Sequence, residues 1–374
     1  MLFRSKATTA TAADTLDLST FSLTNTTLLI TGNNAGAFTI NGTFGGAVGL
    51  GSRTIANVST SEVRIVAPLT IAAAPILTGR GTISLGSPTI TYRSNAGYLQ
   101  SIYAIGTEIR IYAGSDNLTP SLTTGSLYVA SASTLRLLGS GTGTTLNNSI
   151  QMYSNSKLQV DENWTVQNVY ATNAGLQQAV SDWRYETSVA AGKTLTVSYW
   201  ESTQYTGSDS LYYARNRKTG LGKLLYKALP IATAASTGPL RVEAGSVEFN
   251  LTTDTIYGNP IVPFSIELYA GTTCTYNSTI SHDAPFVTFG AGAVVKSNTN
   301  TVHARVYHSF TGGLTINAGE WDAQFRNAVG DGNVTVNGGT LRASAVDDEQ
   351  YVLEVVGNLV FAGGSLAIGA AYVV

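Results

Sequence analysis

The sequence Gly312-Gly313-Leu314-Thr315-Ile316-Asn317-Ala318-Gly319-Glu320-Trp321 joins a small-residue turn to positions that alternate between apolar and polar side chains. The same order returns at residues 332–341 (GNVTVNGGTL) and 357–366 (GNLVFAGGSL). Alternation with a period of 2 is typical of a strand with one buried face. Glycine accepts the positive φ that a sharp turn requires. We therefore predict a repeating strand and turn unit, as in a β-solenoid.

Small residues continue this repeat towards the N-terminus. Successive anchors are 25, 27, 23, 36, 30, 23, 26, 21, 27, 20 and 25 residues apart, and nine of these eleven intervals lie between 20 and 27, the length of one coil. The anchors are Gly81, Gly106, Ser133, Ser156, Gly192, Gly222, Gly245, Gly271, Gly292, Gly319, Gly339 and Gly364. We predict an all-β fold, a β-solenoid (β-helix) of roughly 11–12 coils. A pair of antiparallel β-sandwiches is the alternative.

The two longest intervals lie together, so we predict insertions over residues 157–222. Residues 173–184 place Leu176, Val180 and Trp183 on one helical face, which indicates a short helical and aromatic insertion near residues 165–225. The predicted organisation is an N-terminal arm at 1–20, an N-terminal β region or cap at 21–80 and the solenoid at 81–374.

The insertions and their flanks are rich in aromatic and basic residues, which can stack on sugars, anchor a protein interface or meet an acidic neighbour. Five of the 21 basic residues fall within 13 positions of one another. A solvated loop and a covered solenoid flank are the simpler interpretations. The candidate interaction surface comprises Trp164, Trp183, Tyr185, Trp200, Tyr205, Tyr212, Tyr213, Arg215, Arg217, Lys218, Lys223 and Lys227.

The overall composition excludes several classes of partner. Charged residues make up 12% of the chain and the net charge is -2, so we expect no nucleic-acid partner. No apolar run of about 18 residues occurs, and the N-terminus lacks an apolar signal-peptide core, so we expect neither a membrane span nor Sec export. The single Cys274 cannot form an intramolecular disulfide or a cysteine-based zinc site.

The polar residues do not form a recognisable catalytic pattern. Neither Asp161-Glu162 nor the run at 347–349 makes a catalytic carboxylate pair by itself, since adjacent strand residues point to opposite faces. The spacing of His282, His303 and His308 fits no metal motif. We therefore predict no enzymatic activity, no cofactor and no metal.

The Gly312–Trp321 segment and its two echoes resemble the strand repeats of bacterial autotransporter passenger domains. Similar Gly-rich coils occur in adhesins, phage fibres, tailspikes and capsid decoration proteins. This resemblance covers the last 60 or so residues well and implies a β-helix that serves as a structural or attachment element. The chain differs from a whole autotransporter because it has no C-terminal series of barrel-like amphipathic strands.

Our leading hypothesis is a non-catalytic structural or attachment protein on the exterior of a bacteriophage particle, such as a decoration or fibre protein. The alternative is a bacterial cell-surface adhesin or extracellular filament subunit, and a tailspike-type glycan hydrolase is a third hypothesis. The expected partners are other structural proteins or copies of the chain itself in a homo-oligomer, with a glycan or cell-surface receptor as a further candidate. The expected location is the virion surface, or the cell surface under the alternative.

Overall fold

A computed structural model gives the fold of the chain. It describes residues 14–22, 27–30, 38–43, 53–57, 63–65, 75–79, 82–85, 102–105, 108–113, 126–129, 132–139, 144–153, 155–171, 184–202, 215–228, 231–232, 240–252, 265–283, 287–344, 352–369 and 372–373. The chain divides into two compact units, residues 1–176 with 185–188, and residues 177–184 with 189–374.

The first unit consists of β-strands that belong alternately to two sheets. They are β1 (Asp14–Ser22), β2 (Thr27–Ile30), β3 (Phe38–Thr43), β4 (Arg53–Asn57), β5 (Val63–Ile65), β6 (Pro75–Gly79), β7 (Thr82–Leu85), β8 (Ile102–Ile105), β9 (Glu108–Ala113), β10 (Ser126–Val129), β11 (Thr134–Gly139), β12 (Thr144–Met152), β13 (Lys157–Val160), β14 (Trp164–Ala171) and most of β15 (Arg184–Val189). Odd-numbered strands lie side by side in the first sheet and even-numbered strands in the second sheet. The pairs from β1·β3 to β11·β13 and from β2·β4 to β12·β14 are parallel.

The second unit contains the remaining strands. They are β16 (Thr194–Ser202), β17 (Arg215–Thr219), β18 (Lys223–Tyr226), β19 (Ile231–Ala232), β20 (Leu240–Val242), β21 (Ser246–Phe249), β22 (Ile266–Leu268), β23 (Thr273–Tyr276), β24 (His282–Asp283), β25 (Thr288–Gly290), β26 (Ala293–Lys296), β27 (Thr301–Ala304), β28 (Ser309–Phe310), β29 (Leu314–Ile316), β30 (Glu320–Ala323), β31 (Val334–Val336), β32 (Thr340–Ala343), β33 (Val352–Leu353), β34 (Leu359–Phe361), β35 (Ser365–Ile368) and β36 (Tyr372–Val373).

Most of these strands form three parallel sheets, so a coil of the second unit has three sides where all three are present. Strand β19 pairs with β16 beside the second of these sheets, and β33 and β36 form a separate parallel pair. The first sheet has the order β17-β20-β22-β25-β28, the second β16-β18-β21-β23-β26-β29-β31-β34 and the third β24-β27-β30-β32-β35. The second sheet contributes one strand to each coil, which gives this unit about eight turns.

The predicted all-β solenoid is confirmed, since the described residues form parallel sheets and contain no helix. The predicted helix at 173–184 falls almost wholly outside these residues, apart from Arg184 at the start of β15. Parallel pairing begins at β1 in the predicted arm and continues through 21–80, so the ladder starts well before Gly81.

The predicted insertion at 157–222 contains ordinary coil strands, from β13 to β17. The interval of 36 residues arises because Ser156 precedes a strand of the first sheet, whereas Gly192 precedes a strand of the second sheet. Along the first sheet, β13 starts at Lys157 and β15 at Arg184, which is an ordinary spacing of 27 residues. Residues 172–183 and 203–214 lie outside the described part of the chain.

Buried and half-buried positions alternate along the strands, as the period of 2 predicts. Strands β13, β18, β23 and β26 each place their second and fourth side chains in the core. Because neighbouring strands are parallel and in register, inward side chains of successive coils lie next to one another in columns. One second-sheet column is aliphatic except for Cys274; its buried members are Leu195, Leu224, Val247, Cys274, Val294, Leu314 and Val334.

The neighbouring column contains a stack of aromatic rings. Tyr226, Phe249 and Tyr276 occupy equivalent positions on three successive coils. Their ring centroids are 5.5 and 5.4 Å apart, and both pairs are stacked. Trp200 closes one end edge-on against Tyr226 at 6.1 Å, and Trp321 lies edge-on against Tyr276 at 5.6 Å. Aromatic pairs of this kind add about 1 kcal/mol each to the contribution of their buried area.

Glycine at the corners serves two physical requirements. Gly192, Gly245, Gly271 and Gly319 have φ between 69° and 79°, which confirms the predicted left-handed conformation at these anchors. Gly245 must also remain small, because a Cβ there would lie 2.3 Å from the Gly222 carbonyl oxygen of the preceding coil. Gly192 has the same conformation, but its Cβ would meet no atom within 4 Å.

This pair of glycines allows close packing to be tested separately from backbone strain. We expect Gly245→Ala to lower the free energy of unfolding by about 3 kcal/mol, because it combines left-handed strain with a backbone clash. Gly192→Ala incurs the strain alone, which costs about 1 kcal/mol. Chemical denaturation of both variants measures the difference. Equal losses of unfolding free energy in the two variants would show that the close approach of the preceding coil does not restrict the side chain at Gly245.

Candidate interaction surface

Three aromatic residues of the predicted interaction surface belong to the core. Trp164, Tyr185 and Trp200 are each 1% exposed, because they occupy inward positions of β14, β15 and β16. They cannot contribute to an accessible surface, and the hypothesis of an exposed cluster is corrected for these three. Trp183, Tyr205, Tyr212 and Tyr213 lie outside the described residues.

Two basic residues of the predicted surface, Arg217 and Lys223, form ion pairs with the next coil. Arg217 makes a bidentate pair with Glu243, in which Nε lies 2.7 Å from Oε1 and Nη2 2.5 Å from Oε2. Lys223 pairs with Glu248, whose carboxylate also accepts a hydrogen bond from Asn277. Arg215 begins β17, and Lys227 is half-buried with its backbone N–H bonded to Val197. Arg217 and Lys223 therefore hold neighbouring coils together and do not form an unpaired positive patch.

Burial and pairing act in opposite directions on Glu248. Burial alone would raise the pKa of its carboxyl. The hydrogen bonds from Lys223 and Asn277, together with the charge of Lys223, outweigh burial and lower that pKa. The carboxylate is consequently ionised at neutral pH, as an ion pair between coils requires.

Lys218 is fully buried, in contrast to its expected place on the surface. Its Nζ donates to the carbonyl oxygens of Thr219 (3.0 Å), Gly220 (2.7 Å) and Ala244 (2.9 Å). All three ammonium donors thus bind corner carbonyls of two successive coils. Burial lowers the pKa of Lys218 to about 8.

Lys296 repeats this arrangement on a different corner. It occupies the register position next to Tyr276 in the aromatic column, and its Nζ donates to the carbonyl oxygens of Asn298 and Ala318. Burial lowers its pKa to about 8 as well. Both lysines therefore act as internal clamps between the corners of adjacent coils.

Removal of one clamp tests this role. We expect Lys218→Met to lower the free energy of unfolding by about 3 kcal/mol, because it keeps the apolar stem but leaves three buried carbonyl groups without their donor. The matched variant Lys227→Met, on a half-buried lysine, should change stability by less than about 1 kcal/mol. Urea unfolding measures both values. Similar values for the two variants would exclude the clamp.

The three histidines do not meet at one site. His282 is buried, its Nδ1 donates to the Asp283 carbonyl oxygen at 2.7 Å, and its ring stacks on Tyr276 at 5.8 Å. His303 lies on the third sheet with Nδ1 2.9 Å from Asp322 Oδ2. His308 is fully buried and accepts a hydrogen bond on Nδ1 from the Thr288 N–H at 3.1 Å. Within the described ranges, no cluster of three or more potential metal ligands occurs.

His308 should make the fold sensitive to acid. Burial lowers its pKa from 6.5 to about 4. Between pH 6.5 and pH 4, this histidine is therefore protonated in the unfolded chain and neutral in the folded chain. By linkage, its contribution to stability decreases as the pH falls from 6.5 to 4, by about 3 kcal/mol in total. His308→Asn, which retains an acceptor, should show a shallower loss of stability over this interval.

Unfolding free energies measured at several pH values compare the parent with this variant. Carboxylates that titrate in the same interval affect both chains equally, so the difference between the two profiles isolates His308. Parallel profiles would mean that the histidine is not buried in its neutral form.

The outward face of the third sheet contains a connected polar network centred on Asp322. This carboxylate accepts hydrogen bonds from Ser344, Gln324 and His303, which lie on its own coil and on the coils to either side. Burial alone would raise the pKa of Asp322, but these hydrogen bonds and the nearby His303 charge outweigh burial and lower it. Ser344 donates to the carboxylate instead of to His303, so the three side chains do not form an activated nucleophile.

Next to this network, four exposed side chains occupy the corner that follows the third sheet. We call them the corner patch: Arg305, Tyr307, Phe325 and Arg326. Tyr307 and Phe325 are 45% and 37% exposed, and the side chains of Arg305 and Arg326 are 54% and 69% exposed. No local sequence pattern indicates this patch, because its residues are dispersed over 22 positions and come close only when coils stack.

No family model matches the chain, and neither a curated protein nor a solved structure shows significant similarity to it. Among the described residues, no helix is long and apolar enough to cross a membrane.

Proposed function

We propose that the chain is a non-catalytic structural and attachment element on the exterior of a bacteriophage particle, as a decoration or fibre protein. The observation that carries this proposal is the continuous stacking of coils in the second unit. Buried side-chain columns run from coil to coil, and stacked rings and two internal lysine clamps join some of the coils further. Such a stack is a rigid scaffold that presents side chains at a regular spacing.

The surface chemistry supports the same proposal. The chain contains 12% charged residues, and its described strands carry Thr, Ser and Asn at many outward positions. Ionic groups on these coils are largely matched within the fold, as in the pairs Arg217–Glu243 and Arg241–Glu267. A surface of this kind suits a protein that is displayed outside a cell or particle and assembles with other structural proteins or copies of itself.

A bacterial cell-surface adhesin or extracellular filament subunit is the second candidate. The corner patch favours it, since exposed aromatic and arginine side chains are common where proteins bind a partner. Attachment is shared by both candidates, and the location of the protein distinguishes them.

Immunoelectron microscopy of the native source material tests the location. An antibody against the folded chain should label particles at regular positions, because a decoration or fibre protein occupies symmetry-related sites. The control is the same antibody after absorption with the purified chain. Labelling along cell surfaces or free filaments, with none on particles, would replace the virion proposal by the adhesin.

A further inference from the structure

The corner patch is continuous across two adjacent coils. Ala304 pairs with Ala323 before the corner, and the His308 N–H donates to the Asn327 carbonyl oxygen after it. The two coils are offset by 19 residues at this strand pair and by 20 residues where Leu314 pairs with Val334, so the second corner is one residue longer than the first. Tyr307 and Arg326 therefore lie in corresponding corners of neighbouring coils, which are about 4.8 Å apart along the stack.

The two arginines have donors available for a ligand. Arg305 uses its Nε towards Gln324 Oε1 at 2.9 Å and Asp283 Oδ1 at 3.4 Å. Arg326 uses its Nε towards Glu354 Oε2 at 2.8 Å. The contacts of both side chains within the described residues involve Nε, which leaves the Nη groups for an external acceptor. Exposed ion pairs are worth about 1 kcal/mol or less, so a ligand carboxylate can compete with Asp283 and Glu354.

The polar network holds one side of the patch in place. Gln324 accepts from Arg305 and donates to Asp322, which Ser344 and His303 also bind. Arg305 is thus connected to a buried carboxylate through a fixed amide. A side chain that is positioned before binding loses less conformational entropy when a ligand arrives.

We propose that the corner patch binds an acidic glycan, with the sugar rings on Tyr307 and Phe325 and the acidic groups on Arg305 and Arg326. Aromatic faces stack on the apolar faces of sugars, and guanidinium forks bind carboxylates in bidentate geometry. The spacing between coils is similar to the length of one sugar ring, so a linear chain can meet successive coils. The inference rests on the proposed attachment function and specifies the class of ligand.

A glycan is favoured over nucleic acid by the charge of the molecule. The net charge is -2. Arg217, Lys223 and Arg241 pair with carboxylates, and Lys218 and Lys296 are buried, so these residues do not extend the two arginines of the corner patch into a longer basic surface. Nucleic-acid binding instead needs an extended basic surface along a phosphate backbone.

The test is a glycan array with neutral, carboxylated and sulfated glycans, probed with the full chain, followed by titration with the tightest acidic binder. We expect acidic glycans to bind and their neutral counterparts, such as the methyl esters of uronates, to fail. Arg305→Gln and Arg326→Gln should each weaken binding at least tenfold, and added salt should weaken it further. Tyr307→Ala should also weaken it at least tenfold, whereas Tyr307→Phe should retain stacking and affinity.

Matched controls lie on another side of the second unit. Tyr269, which is 40% exposed, and Arg241, which pairs with Glu267, belong to the first sheet or the corner after it. Tyr269→Ala and Arg241→Gln should bind within twofold of the parent. Circular dichroism and thermal unfolding establish that all variants are folded.

Three results would overturn the inference. These are the absence of acidic-glycan binding, equal losses in the control variants, or equal affinity for single-stranded DNA of matched charge. The last result would indicate a general polyanion surface. The location of the protein is measured independently, so glycan binding without particle or cell labelling would contradict the attachment function alone, and labelling without glycan binding would contradict this site alone.

Discussion

The parallel hydrogen-bonding ladder between coils is the constraint on which the rest of the second unit depends. It fixes each residue beside its equivalent on the coils before and after it. Each side chain therefore packs against the two side chains at the same position on those coils. The aliphatic column around Val247 and the ring stack at Phe249 follow directly from this register. The surface obeys the same rule, since Asp283, His303, Asp322 and Arg342 form one outward column.

Register also explains why polar groups can enter the core. Lys218 and Lys296 occupy inward positions, and a lysine there would ordinarily be unfavourable. Each finds carbonyl groups of two consecutive corners within reach of its Nζ, since the corners stack as regularly as the strands do. The same arrangement positions Arg305 through Gln324 and Asp322. The lysine clamps in the core and the polar network on the surface thus both result from the regular stacking of the coils.

Local sequence patterns predict the solenoid and its corners well, because both depend on chemistry within a few residues. Alternation at Leu314-Thr315-Ile316 and the left-handed conformation of Gly319 are examples. The same patterns cannot tell which corner an anchor belongs to, because every corner uses small residues. Ser156, Gly192 and Gly319 precede strands of three different sheets, so the interval of 36 residues from Ser156 to Gly192 includes a change of sheet that spacing alone does not reveal. Burial of Trp164 and Trp200, and the corner patch itself, depend on contacts between coils that lie many residues apart.

Cys274 sits in the aliphatic column between Val247 and Val294, and it is the one thiol of the chain. Burial raises its pKa to about 12, so at neutral pH the sulfur is protonated and shielded. An alkylating reagent can reach it only when the coil around β23 opens. The rate at which this thiol is alkylated in the native protein therefore measures how often adjacent coils separate in the middle of the stack.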